Sequence, residues 1–310
     1  MTSSTRRRTF LVGALAAAGL ALTACGDGGD ALAPAATSST SAAADTIVVG
    51  SANFPESVLL AQMYASALKA KGVNVSTKLN IGSRETYIPA LQDGSIDLLP
   101  EYNGALLSYF SKSPKATDSE GVYAELKAAL PKDLMLLEQS TAEDKDTLTV
   151  TKETAAKYQL KSIADLAGKS QNLTIGAAPE FKTRRAGLVG LKEVYGLTFK
   201  EFKPLDNGGP LTVNSVKDGK VDIGNIYSTD SSIEVNDFVS LEDPKSLFLA
   251  QNIVPVITAT KATPTVTAAL NALSAKLTTD VLTAELKKVQ VDKADPATVA
   301  QDWVKANGLG

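Results

Sequence analysis

The chain has 310 residues, 31 basic and 34 acidic, for a formal net charge of −3. That length predicts two lobes rather than one small core. The mildly acidic balance lacks the positive field on which nucleic-acid binders depend, so no nucleic-acid partner is expected. Histidine is absent and Cys25 is the one cysteine, which excludes a Ser-His-Asp triad, a Cys-His pair, a His-ligated zinc site and an intrachain disulfide. Catalysis would have to run on carboxylates, Lys, Tyr or a Ser-Lys pair. Neither Lys145 nor Lys152 stands at a motif spacing from Ser140. We expect no enzyme, no cofactor and no metal site.

The chain opens on Arg6-Arg7-Arg8, followed by an apolar run over residues 10–22 and by Leu22-Thr23-Ala24-Cys25. The apolar run is too short to cross about 30 Å of hydrocarbon as a helix, and the order of charged, apolar and small-residue regions is that of a secretory signal. A cysteine directly after Leu-Thr-Ala resembles the lipobox of bacterial lipoproteins. The resemblance implies that residues 1–24 are cleaved and that Cys25 carries the lipid, on the extracytoplasmic face of the cell membrane. Arg7-Arg8-Thr9-Phe10-Leu11 fits a twin-arginine signal as well as a plain basic start. Residues 25–45, rich in Gly, Ala, Ser and Thr, have too little apolar surface to order themselves and are expected to act as a tether.

From Thr46 the signals alternate. Residues 46–50 form a β-branched apolar run. Asn53-Phe54-Pro55-Glu56 is a helix start, with proline and an acid in the first turn, and the helix runs to Gly72. Strands are expected over residues 73–79 and 96–99, with a helix over 84–93 between them. The same grammar restarts after Val150, with strands over 173–176 and 221–226 and a helix over 184–195. Three helices close the chain, over 264–276, 280–289 and 296–307, with Trp303 as a packing anchor in the last. Strands separated by helices imply an α/β fold of mainly parallel sheets with helices on their faces.

An internal repeat runs through this pattern. Residues 91–102 align without gaps on residues 216–227, with Asp93, Gly94, Asp97 and Tyr102 matched by Asp218, Gly219, Asp222 and Tyr227. Each copy is a helix end, a glycine cap, a strand and a tyrosine just past it. Ligands of open parallel sheets bind outside the carboxyl ends of the strands. If the lobes face each other, Tyr102 and Tyr227 meet across a cleft; the plainer alternative is that both cap a core. The paired aspartates span a turn and are expected as caps and exposed strand edges rather than as acid and base. Asp206-Asn207-Gly208-Gly209-Pro210 is either a structural turn or a backbone cradle for an anion.

At this point the sequence resembles the substrate-binding proteins of ABC importers for osmoprotectants such as glycine betaine, choline and carnitine. The matching stretches are Val49-Gly-Ser-Ala-Asn53-Phe-Pro-Glu56, Pro89-Ala-Leu-Gln-Asp-Gly94, Pro100-Glu-Tyr-Asn-Gly104, Pro179-Glu-Phe-Lys-Thr-Arg184, Tyr227-Ser-Thr-Asp230 and Asn252-Ile-Val-Pro255. The resemblance implies a two-lobed periplasmic-binding-protein fold of type II that closes on a small solute by hinge motion. Lobe 1 would comprise residues 46–146 and 257–310, and lobe 2 residues 147–256. The implied partners are the solute, a membrane ABC permease with its ATPase, and the membrane itself through Cys25, with the protein a monomer. Family members hold a quaternary ammonium among aromatic faces by cation–π attraction and meet a ligand carboxylate with an arginine. By that resemblance Tyr102 and Tyr227 match cage tyrosines, Arg184 matches the carboxylate-binding arginine, and Asn53 belongs to the site.

Two of the departures from the family pattern lie at the expected crossovers and three elsewhere. Asp146 and Gln251 stand where family members often carry cage tyrosines, Ala52 replaces a lysine, and Arg84 and Ala105 replace threonines. Asp146 either supplies charge directly to a cation or is a solvated hinge acid. Arg84, with Arg184, either clamps an anionic or hydroxyl-rich solute or lies on the surface at a helix start. Gln251 either faces the ligand or bonds backbone. The transporter role therefore has two ligand readings: a quaternary ammonium osmolyte, or another polar or aromatic solute sandwiched by the tyrosines. An extracellular enzyme on the same scaffold, and a sensor or adhesin, are the remaining alternatives.

Overall fold

The computed structural model describes residues 46–310. The secretory signal, Cys25 and the tether lie outside the described residues. Ten strands form two five-stranded sheets. The first contains β1 (Ile47–Gly50), β2 (Val75–Lys78), β3 (Leu98–Tyr102), β4 (Leu134–Leu136) and β10 (Ile253–Thr258), in the order β2-β1-β3-β10-β4. The second contains β5 (Asp146–Val150), β6 (Thr174–Ala177), β7 (Glu201–Pro204), β8 (Ile223–Tyr227) and β9 (Val239–Leu241), in the order β7-β6-β8-β5-β9. The two orders are the same arrangement written twice, and this is the two-lobed α/β fold that the alternating pattern leads one to expect.

Only half of each sheet is parallel. β2-β1-β3 and β7-β6-β8 run parallel, while β10 and β5 run antiparallel to both of their neighbours. These two antiparallel strands are the ones that follow or begin a passage between lobes. β5 starts the second lobe at Asp146, and β10 returns the chain to the first sheet at Ile253. The return therefore precedes Ile253, and residues 253–256 hydrogen-bond in the first sheet rather than in the second lobe. The same pairing shifts both repeat strands: Ile253 lies opposite Tyr102 and Asp146 opposite Tyr227. Each tyrosine is thus the last residue of its strand rather than the residue past it. A partner this remote in sequence leaves no local signal.

The duplication extends to hydrogen bonds. The Val48 N–H donates to the Asp97 carboxylate at 2.8 Å, and the Thr174 N–H donates to the Asp222 carboxylate at 2.7 Å. In both lobes the second aspartate of the repeat is structural, tying the strand beside it, but Asp97 is buried rather than at an exposed strand edge.

Helix α1 (Pro55–Ala70) begins with proline at its first position, where the missing N–H costs nothing. Leu59, Leu60, Met63 and Leu68 on it are fully buried, each such side chain contributing about 1.5–3 kcal/mol. In the first lobe α2 (Arg84–Gln92), α3 (Asn103–Phe110) and α4 (Ser119–Ala129) follow in order. The second lobe carries α5 (Lys152–Tyr158), α6 (Gly190–Tyr195), α7 (Pro210–Lys217) and α8 (Ser232–Val235). The chain ends with α9 (Pro264–Ser274), α10 (Thr279–Gln290) and α11 (Pro296–Ala306). These three lie back on the first lobe, with Trp303 in its core.

The helix expected over residues 184–195 is broken. Arg184 is extended, residues 185–189 form a loose turn with non-helical backbone at Ala186 and Gly187, and regular helix begins at Gly190. A Cβ on Gly187 would stand 2.1 Å from the Phe181 carbonyl oxygen. The chain folds back on itself here more closely than a side chain permits, and the break holds Arg184 at the cleft.

Candidate functional site

Between the carboxyl ends of the two sheets lies a cavity of about 430 Å³, lined from both lobes and both crossovers. Three rings meet at it. Phe54 occupies the residue before α1, with extended backbone and no capping side chain. Its ring centroid is 6.0 Å from that of Tyr102 and 5.1 Å from that of Tyr227, both pairs tilted. The phenols are pinned at their far ends. Tyr102 donates to Glu56 Oε1 at 2.7 Å, and Tyr227 donates to Asn207 Oδ1 at 2.6 Å. Burial, then the Glu56 charge, pushes the Tyr102 phenol well above its usual range, and burial with Asp146 does the same to Tyr227. Both rings therefore stay neutral.

Asn207 belongs to the 206–210 turn. The Asp206 carboxylate accepts from the Leu211 and Thr212 N–H groups at 2.9 and 2.8 Å. The chain's own acid occupies that helix start, so the turn is structural and cradles no anion. Gly208, with φ +69°, sits against the Tyr227 ring, where a Cβ would come within 3.0 Å.

Two arginines line the cavity, each held by a glutamate. Arg84 Nε and Nη2 donate to the two Glu101 oxygens, both at 2.8 Å, and Tyr87 donates to Glu101 Oε1 at 2.8 Å. Arg84 is buried rather than on the surface. Burial works against the charged guanidinium, but Glu101 outweighs it and holds the group well above its usual range. Arg184 Nε and Nη2 donate to the Glu85 oxygens at 2.9 and 2.6 Å, from the second lobe to the first. Burial works to raise the Glu85 carboxyl, but Arg184's hydrogen bonds and charge prevail and bring it to about 2. Neither Nη1 has a protein acceptor among the described residues, so each arginine keeps two N–H groups for a ligand anion.

At the crossovers the Asp146 oxygens accept from Asn225 Nδ2 at 3.1 Å and Gln251 Nε2 at 3.0 Å. Behind the rings lies a second carboxyl cluster. Glu56 Oε2 accepts from the Thr229 hydroxyl of the second lobe at 2.5 Å, and Asp144 Oδ1 accepts from the Thr229 N–H at 3.0 Å. Burial, then their mutual repulsion in the case of Asp144, raises both carboxyls above the usual range.

The structure thus brings Tyr102, Tyr227, Arg84, Arg184, Asp146 and Gln251 to one cavity. Asn53 is not brought there: it is exposed, and its backbone N–H donates to the Gly82 carbonyl. Phe54, extended just before Pro55, is buried and lines the cavity in its place. Sequence reasoning missed Phe54, Glu56, Glu85, Glu101, Asp144 and Asn225. Phe54, Glu56 and Glu101 stood inside stretches singled out above, and each was signalled there. Glu85 and Asp144 carried no such mark, and Asn225, though inside the repeat, has no counterpart there, since Pro100 aligns with it; their partners come from remote segments.

Comparisons with known proteins identify the family. An ergothioneine transport permease/ergothioneine binding protein of Helicobacter pylori is 27% identical, over 85% of this chain and 48% of its own length. The chain thus spans about half of that relative. A glycine-betaine-binding protein of Pseudomonas aeruginosa is 25% identical over 86% of this chain and 90% of its own. A crystal structure of a glycine betaine/carnitine/choline ABC transporter superposes with a TM-score of 0.66 at 24% identity, covering 85% of this chain and 99% of that one, and so shares the fold. The family described as the substrate binding domain of ABC-type glycine betaine transport systems matches residues 45–306. The chain belongs to that family of solute-binding domains.

Proposed function

We propose that this protein captures a betaine, a solute with a fully methylated ammonium and a carboxylate, outside the cytoplasm and delivers it to an ABC permease. The reading rests chiefly on Phe54, Tyr102 and Tyr227, which bring three ring faces from both lobes to one cavity beside two arginines. A methylated ammonium has no N–H to donate, and ring quadrupoles attract it by about 0.5–2 kcal/mol per good contact. Arg84 and Arg184 Nη1 would take the carboxylate. The chemistry is binding without turnover, in keeping with a family of transport proteins. In the same reading Cys25 carries a lipid that anchors a monomer to the membrane, and lobe closure presents the loaded form to the permease.

A second reading keeps the role and enlarges the solute. Glycine betaine fills only about 150 Å³ at interior packing density, against the cavity's 430 Å³, and one relative is named for ergothioneine, a betaine with a ring. Calorimetric titration with glycine betaine, carnitine, choline and a trimethylated histidine, each beside its unmethylated amine where one exists, tests the proposal. Saturable binding of at least one methylated solute, tenfold or more above its amine, is expected. Heat from none of them would reject it.

A further inference from the structure

The wall of the cavity formed by the crossovers has an excess of acceptors. The Asp146 side chain can only accept as a carboxylate, so Asn225 and Gln251, at 3.1 and 3.0 Å, must both present their NH₂ groups to it. That fixes the orientation of both amides without appeal to their shape. Asn225 Nδ2 also donates to the Thr147 carbonyl at 3.2 Å, which uses both of its hydrogens. The consequence is that Asn225 Oδ1 and Gln251 Oε1 accept from no protein group among the described residues. Asp146 itself keeps acceptor capacity, since a carboxylate has about four lone-pair sites and two are used. No lysine or arginine lies within ion-pair distance of it among the described residues. Asn225 and Gln251 are 4% and 3% exposed, and all three residues line the cavity.

Glycine betaine offers such a wall no hydrogen-bond donor. Its methylated nitrogen has no N–H, and its carboxylate is itself an acceptor. Placed against the wall it would leave Asn225 Oδ1 and Gln251 Oε1 without donors, and unpaired buried polar groups cost about 1–3 kcal/mol each. A site built to receive donors rejects analogues that lack them far more strongly than a hydrophobic pocket rejects a change in size.

We propose that Asp146, Asn225 and Gln251 form an acceptor wall that selects betaines carrying N–H donors, such as an imidazole ring, on the arm away from the methylated ammonium. The proposal rests on the betaine reading above and names its solute class. The aromatic trio takes the ammonium, Arg84 and Arg184 the carboxylate, and the wall the ring N–H.

The test uses two probes of equal charge and nearly equal size: Nα-trimethylhistidine, and its derivative methylated on the ring nitrogen that carries the proton. At about pH 8 the ring of each is neutral, so they differ by one donor. Calorimetry of the unaltered protein should show the N–H form binding at least tenfold tighter. In Asp146→Asn, with its melting curve recorded beside the parent's, that preference should fall below about threefold. Equal affinity for both probes in the unaltered protein overturns the donor wall while leaving the betaine reading intact, and needs no variant to be seen. A full tenfold preference retained by a folded Asp146→Asn also overturns it. Failure of both probes and of glycine betaine to bind overturns the betaine reading and this proposal together.

Discussion

Arg184 in the second lobe grips both oxygens of Glu85 in the first, at 2.9 and 2.6 Å. The pair spans the mouth of the cavity and is partly exposed, at 25% and 43% of the side chains. It acts as a latch between lobes that also touch through the Phe54 and Tyr227 rings, the Thr229–Glu56 bond, Gln290 with Asp230 and Ser231, and the Lys287–Glu234 pair.

Because the latch is exposed, its worth is modest, about 0.2–1 kcal/mol. Glu85→Gln should weaken solute affinity about two- to fivefold, and the loss should shrink as salt screens the parent pair. Titration at low and high ionic strength measures both. Unchanged or tighter binding at low salt would show that the pair does not hold the lobes together.

The rings act through their faces as well as their bulk. Phe54→Leu preserves apolar volume and removes the quadrupole. Affinity for a trimethylated solute should fall about 3–30-fold, the equivalent of one cation–π contact. Titration of parent and variant reads this directly, and equal affinities would assign Phe54 to packing alone.

The carboxyl cluster gives a pH dependence with a definite sign. Burial raises Glu56 and Asp144 in the folded protein, so the folded state binds more protons than the unfolded state. The stability they contribute is present at acid pH and is lost as pH rises through their folded values. The melting temperature should decline toward alkaline pH, and Asp144→Asn should flatten that decline. Thermal melts from about pH 5 to 9 check it; a slope unaltered by Asp144→Asn would remove this pair as its source.

Arg84 and Glu101 form a pair at 9% and 0% side-chain exposure. Removing one partner strands the other charge, so Arg84→Met should cost about 3–5 kcal/mol of stability. Replacing both, Arg84→Met with Glu101→Leu, should recover much of that loss. Urea unfolding of the single and double variants distinguishes this from simple additivity.

The fold was readable where the determinants are local. Pro55 and Glu56 announce α1, Gly72 and Gly196 end helices, and the repeat of Asp97 in Asp222 declares two equivalent lobes. What escaped was set by contacts between distant segments. The extra strand residues at Tyr102 and Tyr227 depend on Ile253 and Asp146 lying opposite. The helix broken at Gly187 depends on the Phe181 carbonyl. Within the site, motif residues such as Tyr102 and Arg184 could be named from the chain, whereas the Glu85 latch and the Asn225 support of Asp146 join segments that only the folded chain brings together.

The account turns on three rings around one methylated nitrogen. A crystal structure of the protein grown with a betaine that binds in solution is the direct measurement. The account predicts the ammonium within about 6 Å of the centroids of Phe54, Tyr102 and Tyr227 together. A solute seated elsewhere, or in this cavity with its ammonium away from those rings, would contradict it.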